Sequence, residues 1–340
     1  MTLFMFSRFL FGVFFWFCLG VGSLYAQHPD PKVVPIRLPD SLRSGSREFS
    51  GLAIHGDRLF LLCENRDDHL KKPTQGIYSL KLAELDRCLA DTNTVIEDFA
   101  YHHLAGLDEV SRRIKGYQGL ESIAFAGDKF FVTVESSMDA DAGYLLTGIF
   151  SNHTFELDTS RVLALPKPKL PDGSHVFNAG FEALVPLGRR LFAFYEFNGF
   201  INNYAYKINV ARASRTPVRV DKTPFRLTDM TRWKGRRTVA INYFFPLKAE
   251  AIYQEGLAGE DSVWIHNSNG SLRPFARLVV CRVGRKRVKI EKSYAMPEKY
   301  WTSNWEGITR YRNGVLLVND KFTKGGKPES QLIFVSLKSE

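Results

Sequence analysis

Short apolar stretches alternate with turn residues along most of the chain, and one pattern of fifteen residues occurs five times. Each copy begins with a polar residue, continues as an apolar stretch, turns at glycine or basic residues, and ends as a second apolar stretch. This pattern predicts a β-hairpin in every copy. Aligned without gaps, the copies are SGLAIHGDRLFLLCE from Ser50, ESIAFAGDKFFVTVE from Glu121, EALVPLGRRLFAFYE from Glu182, DMTRWKGRRTVAINY from Asp229 and EGITRYRNGVLLVND from Glu306.

The spacing of the copies indicates the fold. They start 71, 61, 47 and 77 residues apart, which is more chain than a hairpin needs. Third-strand candidates follow the copies at 76–82, 144–150, 203–210, 276–283 and 331–337, and segments such as 218–225 supply a fourth. Repeated units of four strands are typical of propellers. We therefore predict an all-β fold, a single β-propeller with five recognisable blades of about four antiparallel strands; the 77-residue spacing leaves room for a sixth.

The two ends of the chain suggest export and ring closure. Residues 1–26 contain one charge, Arg8, then an apolar run from Phe9 to Val21 and a small residue at Ala26, which is typical of a secretory signal peptide. The run is too short for a membrane-spanning helix, so we expect a secreted or periplasmic protein with no transmembrane span after cleavage. The segment 27–44 could supply the outer strand of the last blade, and the propeller domain is expected over 45–340.

Composition narrows the class of partner only slightly. The 46 basic and 36 acidic residues give a formal charge of +10, but the many acidic residues give no reason to expect a nucleic-acid partner. The basic groups at 189–190, 236–237 and 285–287 fall in hairpin turns, where solvated tips are expected. Signal cleavage would leave Cys63, Cys88 and Cys281, an odd number, so at least one thiol is free or pairs outside the chain.

Acidic residues open or close most copies of the repeat. The two ends of a hairpin are near cross-strand neighbours, and in a propeller the open ends of the innermost hairpins meet at one mouth of the central channel. Eight carboxylates would then converge. Two like charges 4 Å apart cost about 4 kcal/mol at an effective dielectric constant near 20, so the cluster requires a cation, nearby Arg or Lys, or retained protons.

Oxygen ligands in this number favour a divalent cation, with Ca²⁺ first and Mg²⁺ as the alternative. We assign candidate metal ligands to the opening positions and candidate general bases to the closing positions, and we place the remaining charged residues near the mouth as candidate substrate contacts. The metal candidates are Glu121, Glu182, Asp229 and Glu306; the catalytic candidates are Glu135, Glu196 and Asp320; the substrate-binding candidates are Glu64, Arg47, Arg226 and Lys321. A purely structural role, in which each carboxylate accepts main-chain hydrogen bonds, is compatible with this prediction.

Several of the repeat segments resemble one known family. Phe181-Glu182-Ala183-Leu184, Leu227-Thr228-Asp229-Met230 and Trp305-Glu306-Gly307-Ile308, with Leu317–Phe322 after the last, resemble the phytase-like family ("esterase-like activity of phytase") of exported bacterial propeller proteins. The likeness runs from about Glu48 to Leu337. It implies a propeller with phosphoester or ester hydrolase activity and calcium. The fourth copy departs from the family where Asn242-Tyr243-Phe244-Phe245 replaces an Arg-containing stretch.

Three functions agree with the sequence. The first is a metal-dependent hydrolase of a small-molecule ester or phosphoester at the channel mouth. The second is a non-catalytic propeller of the cell envelope that binds a partner through the same mouth, since fold does not determine activity. The third is a lactonase or sugar-processing propeller. The sequence lacks Gly-x-Ser-x-Gly, His-Glu-x-x-His, Cys-x-x-Cys and P-loop motifs, so several common mechanisms lose support.

Overall fold

The computed structural model describes residues 31–44, 47–64, 76–197, 204–246, 260–323 and 328–337. The predicted signal peptide therefore lies outside the described residues. Nearly all the regular structure is β-strand, which confirms the all-β prediction. Four short α-helices lie among the described residues: α1 (Asp40–Arg43), α2 (Leu82–Ala90), α3 (Leu107–Arg113) and α4 (Glu260–Ile265).

The strands form five antiparallel units of four. In chain order they are β1 (Lys32–Ile36), β2 (Phe49–His55), β3 (Arg58–Cys63), β4 (Ile77–Lys81), β5 (Phe99–His102), β6 (Leu104–Ala105), β7 (Tyr117–Ala126), β8 (Lys129–Ser136), β9 (Ala142–Ser151), β10 (Thr154–Pro166), β11 (Ala183–Leu187), β12 (Arg190–Phe194), β13 (Tyr204–Asn209), β14 (Ser214–Val220), β15 (Arg226–Lys234), β16 (Arg237–Phe244), β17 (Phe275–Val283), β18 (Arg287–Ala295), β19 (Ser303–Tyr311), β20 (Gly314–Thr323) and β21 (Leu332–Ser336).

Each unit is a propeller blade. The first blade is β2-β3-β4-β5, the second is β7-β8-β9-β10 with β6 on its outer edge, and the fifth is β19-β20-β21-β1. The third blade (β11 to β14) and the fourth (β15 to β18) join into one eight-stranded sheet, because the outer strands β14 and β18 pair in parallel over two residues.

The five innermost strands close into a ring. β2 contacts β7, β7 contacts β11, β11 contacts β15, β15 contacts β19, and β19 contacts β2 again. The prediction of a five-bladed propeller is confirmed, and the ring leaves no place for a sixth blade. The long interval before the last repeat instead contains β17, β18 and α4.

The N-terminal strand completes the last blade. β1 pairs antiparallel with β21, with Val34 opposite Phe334 and Ile36 opposite Leu332. The beginning and the end of the described chain therefore share one sheet, a connection that closes the ring through hydrogen bonds between strands far apart in sequence.

Glycine explains why the repeat turns where it does. Gly56, Gly127, Gly188 and Gly235 occupy the same position of four hairpin turns, with φ between +59° and +62°. This left-handed conformation costs a glycine little and other residues more. In the fifth hairpin Arg312 adopts a positive φ of 50° instead.

Apolar side chains fill the spaces between neighbouring blades. One core cluster includes Trp305, Tyr195 and Phe181, and another lies between the first and fifth blades around Phe49. Helix α2 buries Leu85 and Cys88 in that second cluster. All three cysteines of the described chain are buried free thiols. No helix among the described residues is long and apolar enough to cross a membrane.

Candidate functional site

A β-bulge occurs at the start of the inner strand in most blades. The pairing register between the first two strands shifts beside Ser50, Glu121, Thr228 and Glu306, and Glu182 directly precedes β11 in the third blade. A bulge adds one residue to a strand and re-aims the side chain there. The equivalent positions therefore hold three glutamates, in blades two, three and five, and two hydroxyls, in blades one and four.

The hydroxyl residues tie adjacent blades together. Ser50 Oγ donates a hydrogen bond to the carbonyl of Leu120 at 2.7 Å, and Thr228 Oγ1 donates to the carbonyl of Trp305 at 2.5 Å. Each acceptor is the residue just before the glutamate of the next bulge. This equivalence shows that Thr228, rather than Asp229, occupies the position that the gap-free alignment gave to Asp229.

Asp229 lies one residue further along the inner strand and has a structural environment. Its carboxylate accepts hydrogen bonds from Met230 N (2.8 Å), Ile308 N (2.8 Å) and Ser122 Oγ (3.2 Å), and the main chain of Leu52 also donates to it. Burial raises the pKa of Asp229, and these donors oppose the rise. Its acceptor capacity is used by three other inner strands, so we leave Asp229 out of the proposed metal site.

Small residues make room for this carboxylate. Gly51, Ala183 and Gly307 occupy the register position of Asp229 in three other blades. A Cβ on Gly51 would lie 3.1 Å from the amide nitrogen of Ile123, and one on Gly307 would lie 3.0 Å from the carbonyl carbon of Gly51. The inner strands thus approach closely at these positions.

Glu64, Glu121 and Glu135 form the tightest carboxylate group. One oxygen of each lies within 4.8 Å of the others. Glu121 and Glu135 are 6% exposed, and Oε1 of each is buried with no hydrogen-bond partner among the described residues. Glu121 and Glu135 also share a hydrogen bond, which lowers the pKa of Glu135. Buried polar atoms are rarely left unpaired, so the remaining oxygens could bind a cation or a water molecule.

The protonation of this group follows from burial. Desolvation raises the pKa of Glu121 well above its usual range, and the negative charges of Glu64, Glu135 and Glu306 raise it further. Burial also raises the pKa of Glu135, while Lys167 and Arg226 oppose the rise. Without a cation, the group therefore retains at least one proton near neutral pH.

Glu182 and Glu196 form a second carboxyl couple, in the third blade. Glu196 is fully buried, and its Oε2 lies 3.5 Å from Arg226 Nη1. The ring of Phe197 lies below the guanidinium, 5.2 Å away. Burial raises the pKa of Glu182 well above its usual range, and Glu196 adds to the rise while Arg226 opposes it. Arg226, a predicted substrate contact, is thus the cation among these acids.

Glu306 and Asp320 form the third couple, in the fifth blade. Both keep part of their surface in contact with solvent. Burial raises the pKa of Glu306 well above its usual range, with Asp320 as the largest charge effect. Asn304 Nδ2 donates a hydrogen bond to Glu306 Oε1. This pair therefore combines contact with solvent and a raised pKa at Glu306.

Arg47, one of the predicted substrate contacts, has partners outside the group. Arg47 lies 5.3 Å over the ring of Tyr78, and its Nε donates to the carbonyl of Ser41 at 3.0 Å. Within the described part of the chain it forms no hydrogen bond or ion pair with the carboxylates of the channel mouth, so we leave it out of the site. The side chain of Lys321 lies outside the described residues. Glu64, in contrast, is one of the three clustered carboxylates.

The sequence analysis missed Lys167, which is 4% exposed. Its Nζ donates to the carbonyls of Ser136 (3.1 Å) and Ser137 (2.8 Å), directly after Glu135. Burial lowers the pKa of Lys167, and the charge of Glu135 opposes this. Lys167 lies outside the repeat, so the repeat alignment could not identify it.

A large cavity elsewhere in the molecule contains none of the predicted site residues. It measures about 670 Å³ and lies between the outer strands β9 and β10 and the turn from Val210 to Ala213. Its walls mix apolar and oppositely charged side chains, without convergent unpaired groups. The chemistry of the channel mouth is more specific, so we place the site there.

Comparisons with known proteins return solved structures of low sequence identity and no family. Neither a protein-family model nor a curated protein matches the sequence. The structure is similar to an exo-β-1,3-galactanase from Clostridium thermocellum (TM-score 0.49, 12% identity, 91% of this chain and 63% of that one). It is also similar to an α-L-arabinofuranosidase from Clostridium thermocellum (0.47, 11%, 80% and 81%) and to the calcium-free form of a GH43 β-xylosidase/α-arabinofuranosidase from a compost metagenome (0.47, 8%, 90% and 94%). These values carry no information on activity.

Proposed function

We propose that the channel mouth is the active centre of a hydrolase that holds a divalent cation, Ca²⁺ in preference to Mg²⁺, and cleaves a small ester or phosphoester. The observation that carries the proposal is the pair of unpartnered buried oxygens of Glu121 and Glu135 beside Glu64.

The residues fit a hard cation. All three donors are carboxylates, which suit Ca²⁺ and Mg²⁺ and are not a typical zinc set. A divalent cation would offset the repulsion between Glu64, Glu121 and Glu135, which otherwise forces proton uptake. When bound, such a cation polarises an ester or phosphoester oxygen and offsets its developing negative charge.

The other residues of the mouth divide the remaining tasks. Arg226 offers a guanidinium for an anionic substrate, and Glu196, held 3.5 Å away, positions it. Asp320 retains contact with solvent and can accept a proton from an attacking water, while burial raises the pKa of Glu306 beside it. The predicted catalytic roles thus narrow to Asp320, with Glu135 reassigned to the cation and Glu196 to positioning.

The phytase-like resemblance agrees with this proposal, because it implies ester or phosphoester hydrolysis with calcium. The signal-like segment at 1–26 agrees with a secreted or periplasmic location, where free Ca²⁺ would be accessible. Both remain parts of the proposal.

Hydrolysis of nitrophenyl phosphate and nitrophenyl acetate, with Ca²⁺ or with a chelator, tests the activity. We expect turnover that the chelator abolishes and Ca²⁺ restores. Glu121→Gln should lose this activity, and Glu97→Gln, which changes an exposed carboxylate outside the site, should keep it. The proposal would be refuted if the chelator left the turnover unchanged, or if neither compound nor phytate were hydrolysed.

A second candidate is glycosidic-bond hydrolysis without a metal. The observation that favours it is the pair formed by Glu182, whose pKa burial raises well above its usual range, and the buried Glu196, whose Oε2 lies 3.5 Å from Arg226 Nη1. Glycoside hydrolysis uses two carboxyl groups, of which the proton donor has a raised pKa. Turnover of nitrophenyl glycosides in the presence of chelator, lost in Glu182→Gln, would favour this candidate over the first.

A further inference from the structure

The net charge of the protein is concentrated in one part of the chain. Residues 183–295, which hold the third and fourth blades, contain 21 of the 46 Lys and Arg residues but only 8 of the 36 Asp and Glu residues. This part therefore carries a formal charge of +13, and the rest of the chain carries −3. The overall charge of +10 is a local property of two adjacent blades.

The propeller topology places this charge on one face. In each blade, the turn between the first two strands and the turn between the last two strands lie at the end opposite the carboxylate mouth. In blades three and four these turns are 188–189, 210–213, 235–236 and 284–286. We define the basic face by its exposed tip residues, Arg189, Arg190, Arg212, Arg236, Arg285 and Lys286.

Acidic residues do not neutralise the basic face. In the described parts of 183–246 and in 275–295, the acidic residues are Glu196, Asp221, Asp229 and Glu291. Glu196 and Asp229 lie in the channel. Glu291 accepts hydrogen bonds from two arginines, with Arg237 Nε at 2.7 Å and Arg282 as the second donor, and Asp221 accepts one from Arg287.

The fifth blade extends the same surface. Exposed Arg310 donates a hydrogen bond to the carbonyl of Trp233, and its guanidinium lies 5.2 Å over the Trp233 ring. Among the described residues, neither Arg310 nor the tip residues of the basic face form an ion pair, although Arg236 Nε donates a hydrogen bond to the carbonyl of Val283 at 2.6 Å. Like charges gathered without partners oppose folding slightly, which suggests a role in recognition.

We propose that the basic face binds the phosphate headgroups of an anionic lipid bilayer. Four consecutive hairpin tips end on one side of the molecule, so their charges can contact a flat anionic surface together. The tips carry glycine and basic residues and few large apolar ones, which predicts adsorption by charge without insertion.

This orientation has a consequence for the channel mouth. The mouth lies at the opposite end of each blade, so adsorption through the basic face would leave the carboxylates open to solvent. The inference does not depend on the proposed hydrolase activity, because it uses none of the mouth residues.

Sedimentation of the signal-free protein with vesicles tests the inference. We expect binding to phosphatidylglycerol–phosphatidylcholine vesicles, none to pure phosphatidylcholine vesicles, and loss of binding between about 0.05 M and about 0.5 M NaCl as charges are screened. Reversing three charges, in Arg189→Glu, Arg236→Glu and Lys286→Glu together, should lower the partition coefficient at least about tenfold.

A matched variant reverses three exposed basic residues away from this face: Arg37→Glu, Arg112→Glu and Lys299→Glu. It has the same net charge and should bind like the wild type. Three results would overturn the inference. The first is no vesicle binding at low salt, and the second is binding to linear polyphosphate without binding to vesicles. The third is an equal loss of vesicle binding in the two triple variants when both keep the melting temperature of the wild type.

Discussion

The carboxylate of Asp229, in the fourth blade, accepts a hydrogen bond from the main-chain N–H of Ile308, in the fifth, at 2.8 Å. The same carboxylate also holds Ser122 of the second blade. Ser122, Asp229 and Ile308 belong to the inner strands of the second, fourth and fifth blades, which meet around the channel. Asp229 therefore connects blades that are distant in sequence. It is a structural residue of the ring.

Replacing Asp229 should therefore lower stability. Asp229→Asn keeps the shape but turns one acceptor oxygen into a donor, which would face the N–H of Ile308 or Met230. We expect the free energy of unfolding to fall by about 2 kcal/mol. Urea denaturation measures this. Ser122→Ala removes a single bond to the same carboxylate and should cost less, and an unchanged midpoint in Asp229→Asn would contradict the assigned role.

His102 should make stability depend on pH. Its Nδ1 lies 2.8 Å from the carbonyl of His153, which fixes that nitrogen as the donor, and its Nε2 accepts from Ser79 Oγ at 2.8 Å. Burial lowers the pKa of His102 below 6.5. The neutral ring therefore contributes stability that is present above pH 6.5 and lost as pH falls through that value toward the lower folded pKa.

Denaturation at pH 7.5 and pH 5 tests this sign. The loss of stability on acidification should be smaller in His102→Gln than in the wild type, because the substituted residue does not titrate. His103→Gln changes an exposed histidine beside it and should behave like the wild type. An equal pH dependence in all three proteins would refute the assignment.

The closing strand should be needed for stability. Ile36 is 4% exposed and packs in the cluster between the first and fifth blades. Ile36→Ala should lower the free energy of unfolding by about 3 kcal/mol. Val34→Ala, at a half-buried position of the same strand, is the control and should cost less. If both variants lowered the free energy of unfolding by the same small amount, β1 would contribute little to closing the ring of blades.

Lys167 should affect the cation affinity of the proposed site through the pKa of Glu135. Lys167→Met removes the positive charge that opposes the raised pKa of Glu135, so Glu135 should hold its proton more tightly. We expect cation affinity at neutral pH to fall about three- to tenfold, and the pH midpoint of cation binding to rise. Calcium titrations at several pH values measure both. Lys169→Met, at an exposed position, should leave both unchanged.

Most of the fold could be predicted from the fifteen-residue repeat. Glycines at one offset mark the hairpin turns, as Gly56 and Gly127 show, and the apolar strands around them predict blades that pack on both faces. The predicted third strand at 276–283 agrees with β17 within one residue. The five copies of the repeat predict five blades. Because their strands are apolar on both faces, each blade must pack against another blade on either side, which predicts a closed ring.

The site was harder to predict because the β-bulges add an extra residue to some copies of the repeat and not to others. The fourth hairpin has a second register shift between Arg232 and Lys234, which uses one extra residue. A gap-free alignment therefore assigned the channel position to Asp229 when Thr228 occupies it. Long-range contacts such as that of Lys167 with Ser137 depend on chain outside the repeat and have no local signal.

The most direct test of the account is a titration of Ca²⁺ into the metal-free protein, followed by calorimetry and thermal unfolding. The account predicts one site per chain, a rise in melting temperature with Ca²⁺, and affinity at least about tenfold weaker in Glu121→Gln, while Glu97→Gln binds like the wild type. Failure of both Ca²⁺ and Mg²⁺ to bind or stabilise the protein, or wild-type binding by Glu121→Gln, would contradict the assignment of Glu64, Glu121 and Glu135 as a cation site.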